Sequence, residues 1–321
     1  MTFEVPLKTG GSKINEVVIG TEGVKVKVGG QNCLPFHSFD GEVINKPIVA
    51  FEVYDVKPEG WASWLMKYYE DVYHDPILWA KKCISEYNAD AINLNLISAD
   101  PGGLDAEPEK VAEIVKKMRE EISVPLIVYG CGNLEKDSVL LRKVFELNAE
   151  TNLLGGAAEE DNYKPIAAAA LGFKDNVITL SPVDINLAKQ LNIMVTQLGV
   201  KPECVVMDPV CSAIGYGIEY AYSINERLKI AAIYQGDKAV ANPIINTVGR
   251  EVWKIKENKL SKEEASEWGD EELRGIIWEA STAMTLFIGG SDIVTMRHPK
   301  AVKIVRELID ELLAEGVEGV K

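Results

Sequence analysis

Cysteine is scarce in this chain of 321 residues, and its placement does not indicate a metal or disulfide site. There are five cysteines, and no two of them form a C-x-x-C pair: Cys33, Cys83, Cys131, Cys204 and Cys211. Iron-sulfur clusters and structural zinc sites take closely spaced cysteine ligands, and a disulfide framework takes an even number. The sequence therefore predicts none of these in the chain and favours a reducing, cytoplasmic location.

Basic charge and long apolar runs are also lacking. The formal net charge is −15, with no basic stripe to offset it, so the chain should be repelled by nucleic acid and by anionic lipid. The apolar runs are too short to span a bilayer, and the first residues, MTFEVPLKTGG, lack the pattern of a signal peptide. We therefore expect neither nucleic acid nor a membrane as a partner.

Familiar catalytic motifs are absent from the sequence. There is no G-x-S-x-G elbow, P-loop or H-E-x-x-H motif, and the three histidines, His37, His74 and His298, lie far apart along the chain. The acidic run Glu159–Asp161 offers a general acid, but acidic residues at a helix start more often favour the helix dipole. No single residue stands out as a catalyst.

Alternating strand and helix patterns fill most of the chain. The uncharged segment PLIVY at 125–129 runs into a glycine loop, and it follows a stretch, Pro108–Ile122, with apolar residues at helical spacing. The same unit recurs, with strand candidates at Pro47–Asp55, Ala91–Leu96, Pro125–Gly130, Asn152–Gly156, Asn176–Pro182, Cys204–Val210, Asn242–Val248 and Asp292–Arg297. Eight such repeats predict an α/β fold, a (β/α)8 TIM barrel, with an open eight-stranded sheet as the alternative. No G-x-G-x-x-G follows the first strand to favour dinucleotide binding.

Residues 1–46 precede the first barrel strand and form an extension. Val24–Val28 alternates apolar and charged residues and faces Val17–Ile19 across a glycine turn, which predicts a β-hairpin. We expect this hairpin to plug the bottom of the barrel, although a docking strand for a partner has the same pattern. The predicted division is an extension at 1–46 and a barrel at 47–321.

Polar residues end or follow several strand candidates. Those predicted to bind a ligand are Asn95, Asn133, Asp184, Asp208, Asn246 and Arg297. The C-terminal ends of barrel strands form the mouth where such folds place their sites, and a buried polar side chain there needs a partner. Glycines at 130, 132, 155 and 156 also lie near the mouth. They either let a broad, flat ligand approach the backbone or simply make tight turns.

Aromatic residues cluster in a long insertion after the first barrel strand, Lys57–Pro76. Trp64, Tyr68 and Val72 recur at helical spacing, which predicts a short helix packed on the barrel. Exposed aromatics also favour protein interfaces, so a docking role for Trp61 and Trp64 is the second hypothesis.

Four segments, in this order, carry a resemblance to a known family: MTFEVPLKTGGSKINEVVIG, GGQNCLPFHSFDGE, PIVAFEVYDV and NLNLISADPGG. Over nearly its full length the chain resembles the small (delta) subunit of the corrinoid iron-sulfur protein of anaerobic acetyl-CoA synthesis. The resemblance implies a TIM barrel paired with a larger subunit in a heterodimer. It also implies a corrinoid (cobamide) shared between this barrel's mouth and the large subunit, with the [4Fe-4S] cluster in the large subunit and not in this chain.

The resemblance further implies a role as a methyl carrier that is not catalytic on its own. The heterodimer would take a methyl group from methyltetrahydrofolate through a methyltransferase and pass it to acetyl-CoA synthase, so both are expected as transient partners. No D-x-H-x-x-G signature occurs, so no axial histidine is expected from this chain. One alternative is a pterin-binding methyltetrahydrofolate:corrinoid methyltransferase, with Asn95, Asp184 and Asp208 on the pterin. Another is a scaffold without ligand contacts.

Overall fold

Ten strands occur in residues 10–315, the part of the chain that this computed structural model describes. They are β1 (Val17–Thr21), β2 (Val24–Val28), β3 (Ile48–Tyr54), β4 (Ala91–Asn95), β5 (Leu126–Tyr129), β6 (Leu154–Ala158), β7 (Asn176–Leu180), β8 (Val205–Asp208), β9 (Ile245–Asn246) and β10 (Ile293–Met296). The last eight are parallel and neighbour one another in the order β8-β7-β6-β5-β4-β3-β10-β9. A parallel bridge between Met207 and Ile244 joins the two ends of this sheet, which confirms the predicted barrel.

Helices cover the outside of the barrel. They are α1 (Ser63–Met66), α2 (Pro76–Ser85), α3 (Pro108–Glu121), α4 (Leu134–Leu147), α5 (Tyr163–Phe173), α6 (Ile185–Gln197), α7 (Ile218–Gln235), α8 (Val248–Trp253), α9 (Glu271–Gly289) and α10 (Pro299–Glu315). Proline at the first position starts α2 and α3, where its missing N–H costs nothing. None of these helices within residues 10–315 is long and apolar enough to cross a membrane.

The seventh barrel strand is much shorter than predicted. The sequence pattern places a strand at Asn242–Val248, but β9 contains only Ile245 and Asn246. Pro243 has no N–H for the sheet, and α8 begins at Val248, directly beyond Thr247. This early helix brings Arg250 to the end of the barrel.

The hairpin of β1 and β2, which was predicted, packs across the N-terminal end of the barrel. The backbone N–H of Gly20 donates to the Asn152 carbonyl at 3.1 Å, and Nδ2 of Asn176 donates to the Val18 carbonyl at 2.8 Å. Its apolar side chains Val17 and Ile19 are fully buried in one cluster with the barrel-interior residues. The first nine residues of the predicted 1–46 extension and the last six of the barrel segment lie outside the described part.

Side chains inside the barrel change from apolar to polar along several strands, including β3, β8 and β10. Strand residues alternate between faces, so on β3 Ile48 and Ala50 fill the lower interior and Glu52 comes next on the same face. Apolar side chains fill the lower layers of the interior. The polar upper layer forms the floor of the mouth.

Candidate functional site at the barrel mouth

A buried ion pair lies at the centre of the mouth. Nε of Arg297 donates to Oε2 of Glu52 at 2.8 Å, and Nη2 donates to Oε1 at 2.9 Å and to the Tyr54 hydroxyl at 2.7 Å. Both charged side chains are almost completely buried. Burial alone would lower the pKa of Arg297, but the Glu52 carboxylate raises it above its ordinary value. The two charges therefore stabilise each other and fix the fork of the guanidinium.

A second guanidinium joins this pair through Asn95. Nδ2 of Asn95 donates to Oε1 of Glu52 at 3.2 Å, and its Oδ1 accepts a hydrogen bond from Nη2 of Arg250 at 3.0 Å. The Arg250 guanidinium lies 5.9 Å from the centre of the Tyr129 ring, within reach of a cation–π contact. Arg250 is partly exposed, unlike the buried residues beneath it. It is therefore the cation that the network presents to the outside.

Asp208 and Tyr129 complete the floor. The Tyr129 hydroxyl donates to Oδ2 of Asp208 at 2.8 Å, and the backbone N–H of Val210 donates to Oδ1 at 3.0 Å. Burial raises the pKa of Asp208 to about 6, although the Tyr129 hydroxyl bond opposes this shift. The carboxyl group is satisfied by the protein itself, with no ligand required.

The aromatic insertion supports the mouth from the side. The Trp61 ring lies 4.4 Å from the Arg297 guanidinium and makes edge contacts with Tyr54, Tyr69 and Trp79. Tyr69 and Trp79 are fully buried, and Trp64 is partly buried against the core. These contacts support the packing hypothesis for Lys57–Pro76. The docking role of Trp61 and Trp64 remains a prediction.

The structure brings together three of the six residues that the sequence analysis proposed. Asn95, Asp208 and Arg297 all belong to the mouth floor, whereas Asn133 and Asp184 are exposed N-caps of α4 and α6. Oδ1 of Asn133 accepts from the Lys136 N–H at 3.0 Å, and Oδ1 of Asp184 accepts from the Asn186 N–H at 2.7 Å. Both caps follow barrel strands, so they lie on the rim.

The side chain of Asn246 points away from the mouth, toward α7. Its Oδ1 accepts hydrogen bonds from Nδ2 of Asn225 on α7, at 2.7 Å, and from the Ser291 hydroxyl. The residue is fully buried between strand and helix. The expectation that it points into the mouth came from its position near a strand end, and strand parity turns it outward. We therefore leave Asn246 out of the site.

The glycines near the mouth serve packing. A side chain at Gly155 would place its Cβ 2.7 Å from the Phe145 ring, and one at Gly156 would place it 2.5 Å from Cβ of Ile178. A Cβ at Gly130 would lie 2.3 Å from the Asp137 carboxyl group, which accepts the Cys131 and Gly132 N–H groups. Close packing against the protein's own side chains thus accounts for Gly130, Gly155 and Gly156. The idea of a glycine-lined mouth for a flat ligand is corrected at these positions.

Sequence reasoning missed three residues of the floor. Glu52 had a visible signal, because an unpaired charge in the buried segment IVAFEVY would be costly and needs a partner. Tyr129 had a weaker signal, since a buried tyrosine hydroxyl also needs a partner. Arg250 had no signal, because it lies two residues beyond the strand candidate Asn242–Val248 and belongs to no motif.

The mouth offers hydrogen bonds and one partly exposed cation, but no assembled catalytic group. Cys131, at the rim, has a pKa raised to about 12 by burial, so it is not a thiolate nucleophile. His298 faces the helix layer beside Trp253 and Tyr68, and burial lowers its pKa to about 4. Residues 10–315 contain no cluster of three or more histidine, cysteine or acidic side chains placed to hold a metal. The geometry suits holding a ligand more than transforming one.

Sequence comparison finds a family for nearly the whole chain. Residues 16–308 match the family described as CO dehydrogenase/acetyl-CoA synthase delta subunit. The chain is 33% identical, over 96% of its length and 76% of the relative, to an acetyl-CoA decarbonylase/synthase complex subunit delta of Methanocaldococcus jannaschii. It is 35% identical to the subunit of the same name from Archaeoglobus fulgidus, over 96% of this chain and 70% of that one.

Solved structures with a similar fold include dihydropteroate synthases. A Yersinia pestis dihydropteroate synthase with a sulfonamide drug has a TM-score of 0.59 at 10% identity, over 85% of this chain and 96% of that one. The Xanthomonas albilineans enzyme in complex with 7,8-dihydropteroate has a TM-score of 0.54 at 12% identity, over 90% of this chain and all of that one. At such low identity the likeness supports the TIM-barrel fold alone.

Proposed function

This chain belongs to the CO dehydrogenase/acetyl-CoA synthase delta subunit family, and from that premise we propose that it is the small subunit of a corrinoid iron-sulfur methyl carrier. Its barrel mouth covers a corrinoid that a larger subunit holds, and the [4Fe-4S] cluster belongs to that larger subunit. When bound, the corrinoid would supply the chemistry of methyl transfer from methyltetrahydrofolate, through a methyltransferase, to acetyl-CoA synthase. The chain itself positions and shields the cofactor.

The observation that carries this proposal is the combination of family membership with a buried polar mouth that presents one partly exposed guanidinium. The floor residues bond to one another, and Arg250 presents a partly exposed guanidinium with one donor on Asn95. The periphery of a corrin ring carries neutral carboxamides, whose carbonyl oxygens accept hydrogen bonds from such a donor. The exposed rim side chains Asn133 and Asp184 add an amide and a carboxylate for the carboxamide NH2 groups. The donor set therefore fits the group.

Each mouth residue then has a physical role. The Glu52–Arg297 pair and Asn95 hold the Arg250 guanidinium over Tyr129, so little side-chain entropy is lost when it binds. The buried floor excludes water from the covered face, which protects a reactive reduced cofactor. His298 lies in the helix layer against Trp253, so it is not among the mouth residues that would hold the corrinoid.

Co-purification is the experiment that tests this function. The chain, isolated from its native source or co-expressed with its partner, should elute with a larger subunit and with the visible absorption of a corrinoid. Arg250→Met and Asn133→Ser should each weaken corrinoid retention several-fold, since one hydrogen bond contributes about 1 kcal/mol net. Serine keeps the N-cap of α4, so Asn133→Ser separates the ligand contact from helix capping. Arg142→Met, which changes an exposed arginine on α4, is the matched control and should have no effect.

The methyltransferase alternative makes different predictions. A pterin enzyme should bind methyltetrahydrofolate as an isolated chain, whereas a carrier subunit should not. In addition, the mouth variants should leave the rate of methyl transfer unchanged when the corrinoid is saturating. If one substitution stopped methyl transfer while the corrinoid stayed fully bound, the chain would contain a true catalytic residue and the carrier proposal would fail.

A further inference from the structure

The outer face of α9 is exposed and mostly apolar. Leu273, Ile277 and Ile288 are 53%, 54% and 48% exposed, and they share one stripe of the helix with Ser281 and Thr285. Of the charged residues between 273 and 289, Glu279 is fully buried on another face. Arg274 lies beside the stripe but is only 7% exposed, because its guanidinium donates to the backbone carbonyls of Leu260 and Gly269. A surface helix normally places charged and polar residues toward water. This stripe is therefore unusual for a face that stays in solvent.

An aromatic hollow adjoins the stripe. Trp268 is 49% exposed and stacks on Trp278 at a ring distance of 5.7 Å, and Trp278 anchors to the Ile214 carbonyl through Nε1 at 2.9 Å. Together with Ile277 these residues line a shallow cavity of about 350 Å³. Fixed aromatic rings beside a groove are typical of interface anchors. The hollow and the stripe form one continuous apolar surface, here called the α9 face.

The charges around the α9 face select the partner. Acidic side chains lie at the edge of this face. Glu257 accepts from the hydroxyl of Tyr216, whose ring contacts Trp278, Glu267 adjoins Trp268, and Asp270 caps α9, within a chain of net charge −15. A second copy of this chain would bring the same acidic surroundings against it, and like charges across an interface oppose association. A complementary surface has apolar side chains in its centre and lysine or arginine at its edge.

From these observations we infer that the α9 face is the docking surface for the larger subunit of the carrier, which meets it with an apolar patch edged by basic residues. This inference rests on the proposed function for the identity of the partner. It places the main contact outside the aromatic insertion Lys57–Pro76, whose tryptophans Trp61 and Trp64 are partly buried against the core. It leaves the barrel mouth free for the cofactor.

Substitutions on the α9 face test the inference through affinity for the purified large subunit. Ile277→Glu should weaken association about tenfold or more, because it buries a carboxylate at the centre of the contact. Val139→Glu is the matched control, since Val139 on α4 is equally exposed at 53% and lies outside the face. It should change the affinity less than twofold. Thermal unfolding of each isolated variant checks that the chain is folded.

A reversal of charge separates the partner's chemistry from simple apolar contact. Leu273→Lys should weaken association more than Leu273→Glu, because the edge of the partner is basic, and affinity should fall as salt concentration rises. If folded Ile277→Glu and Leu273→Lys bind like the wild type, the inference is wrong. It is also wrong if the isolated wild-type chain forms a dimer in sedimentation that Ile277→Glu dissolves, because a second copy then occupies the face.

The same experiment separates this inference from the function it builds on. If the wild-type heterodimer forms through the α9 face but shows no corrinoid absorption, the docking surface stands and the cofactor proposal fails. If corrinoid is present and Ile277→Glu has no effect on assembly, the cofactor proposal stands and the docking surface is refuted.

Discussion

Replacement of Glu52 by glutamine tests whether the mouth is held together by its buried charges. The change keeps the side-chain shape but removes the negative charge between two guanidinium groups, Arg297 and Arg250. It also replaces one acceptor oxygen by an NH2 group, whose hydrogens would face the N–H groups of Arg297 without an acceptor between them. Leaving one charge of a buried pair without its partner costs about 3–5 kcal/mol, so we expect a loss of that size in the free energy of unfolding.

The measurement is urea unfolding of the isolated chain, followed by circular dichroism, with the wild type at the same pH. A double variant, Glu52→Leu with Arg297→Met, provides the control, because it removes both charges together. It should cost less than Glu52→Gln alone, since no buried charge is left unpaired. A loss below about 1 kcal/mol for Glu52→Gln would show that the pair is well solvated and would refute our account of the floor.

Three further predictions concern the site and the cysteines. Burial raises the pKa of Asp208 in the folded chain to about 6, above the ordinary value near 4. The protonated carboxyl group therefore favours the folded state, and this contribution to the free energy of unfolding is complete below the unfolded pKa and is lost as pH rises through about 6. Asp208→Asn should therefore remove about 3 kcal/mol of pH dependence between pH 4 and 7, measured by unfolding at each pH; an unchanged profile would contradict the assignment. Gly155→Ala should lower the free energy of unfolding by about 1–3 kcal/mol, because the added Cβ would clash with Phe145. The measurement is thermal unfolding of the chain without corrinoid. A stability equal to that of the wild type would instead favour the hypothesis that Gly155 makes room for a ligand. The purified chain alone should carry no iron and no labile sulfide by chemical assay, because its five cysteines are dispersed and free; stoichiometric iron would refute this.

The barrel was predictable because its signals are local. Strands that are buried on both faces appear as short uncharged runs, and amphipathic helices repeat their apolar residues every 3.6 positions. Both signals can therefore be recognised from neighbouring residues alone. The sequence pattern predicted a longer β9 than the structure has. Pro243 and the early start of α8 leave only two residues paired in the sheet. An apolar run there marks a buried segment without showing how much of it is extended.

The site was predictable only in part because its partners are distant in sequence. Glu52 and Arg297 pair across 245 positions, and Asn95 and Arg250 across 155, so no local pattern links them. Asn133 and Asp184 look like ligand residues and are helix N-caps, since the same side chains serve both purposes at a strand end. The exposed α9 face could not be predicted either, because apolar residues at helical spacing do not show which side of a helix packs against the core.

The most direct test of the central claim is the dissociation rate of the corrinoid from the large subunit, followed by its visible absorption. Corrinoid-loaded large subunit is mixed with a corrinoid scavenger, with and without this chain in excess. If the barrel mouth covers the corrinoid, the chain should slow the release several-fold or more, and Arg250→Met should remove part of that effect while Arg142→Met should not. A release rate that is the same with and without the bound chain would contradict the account.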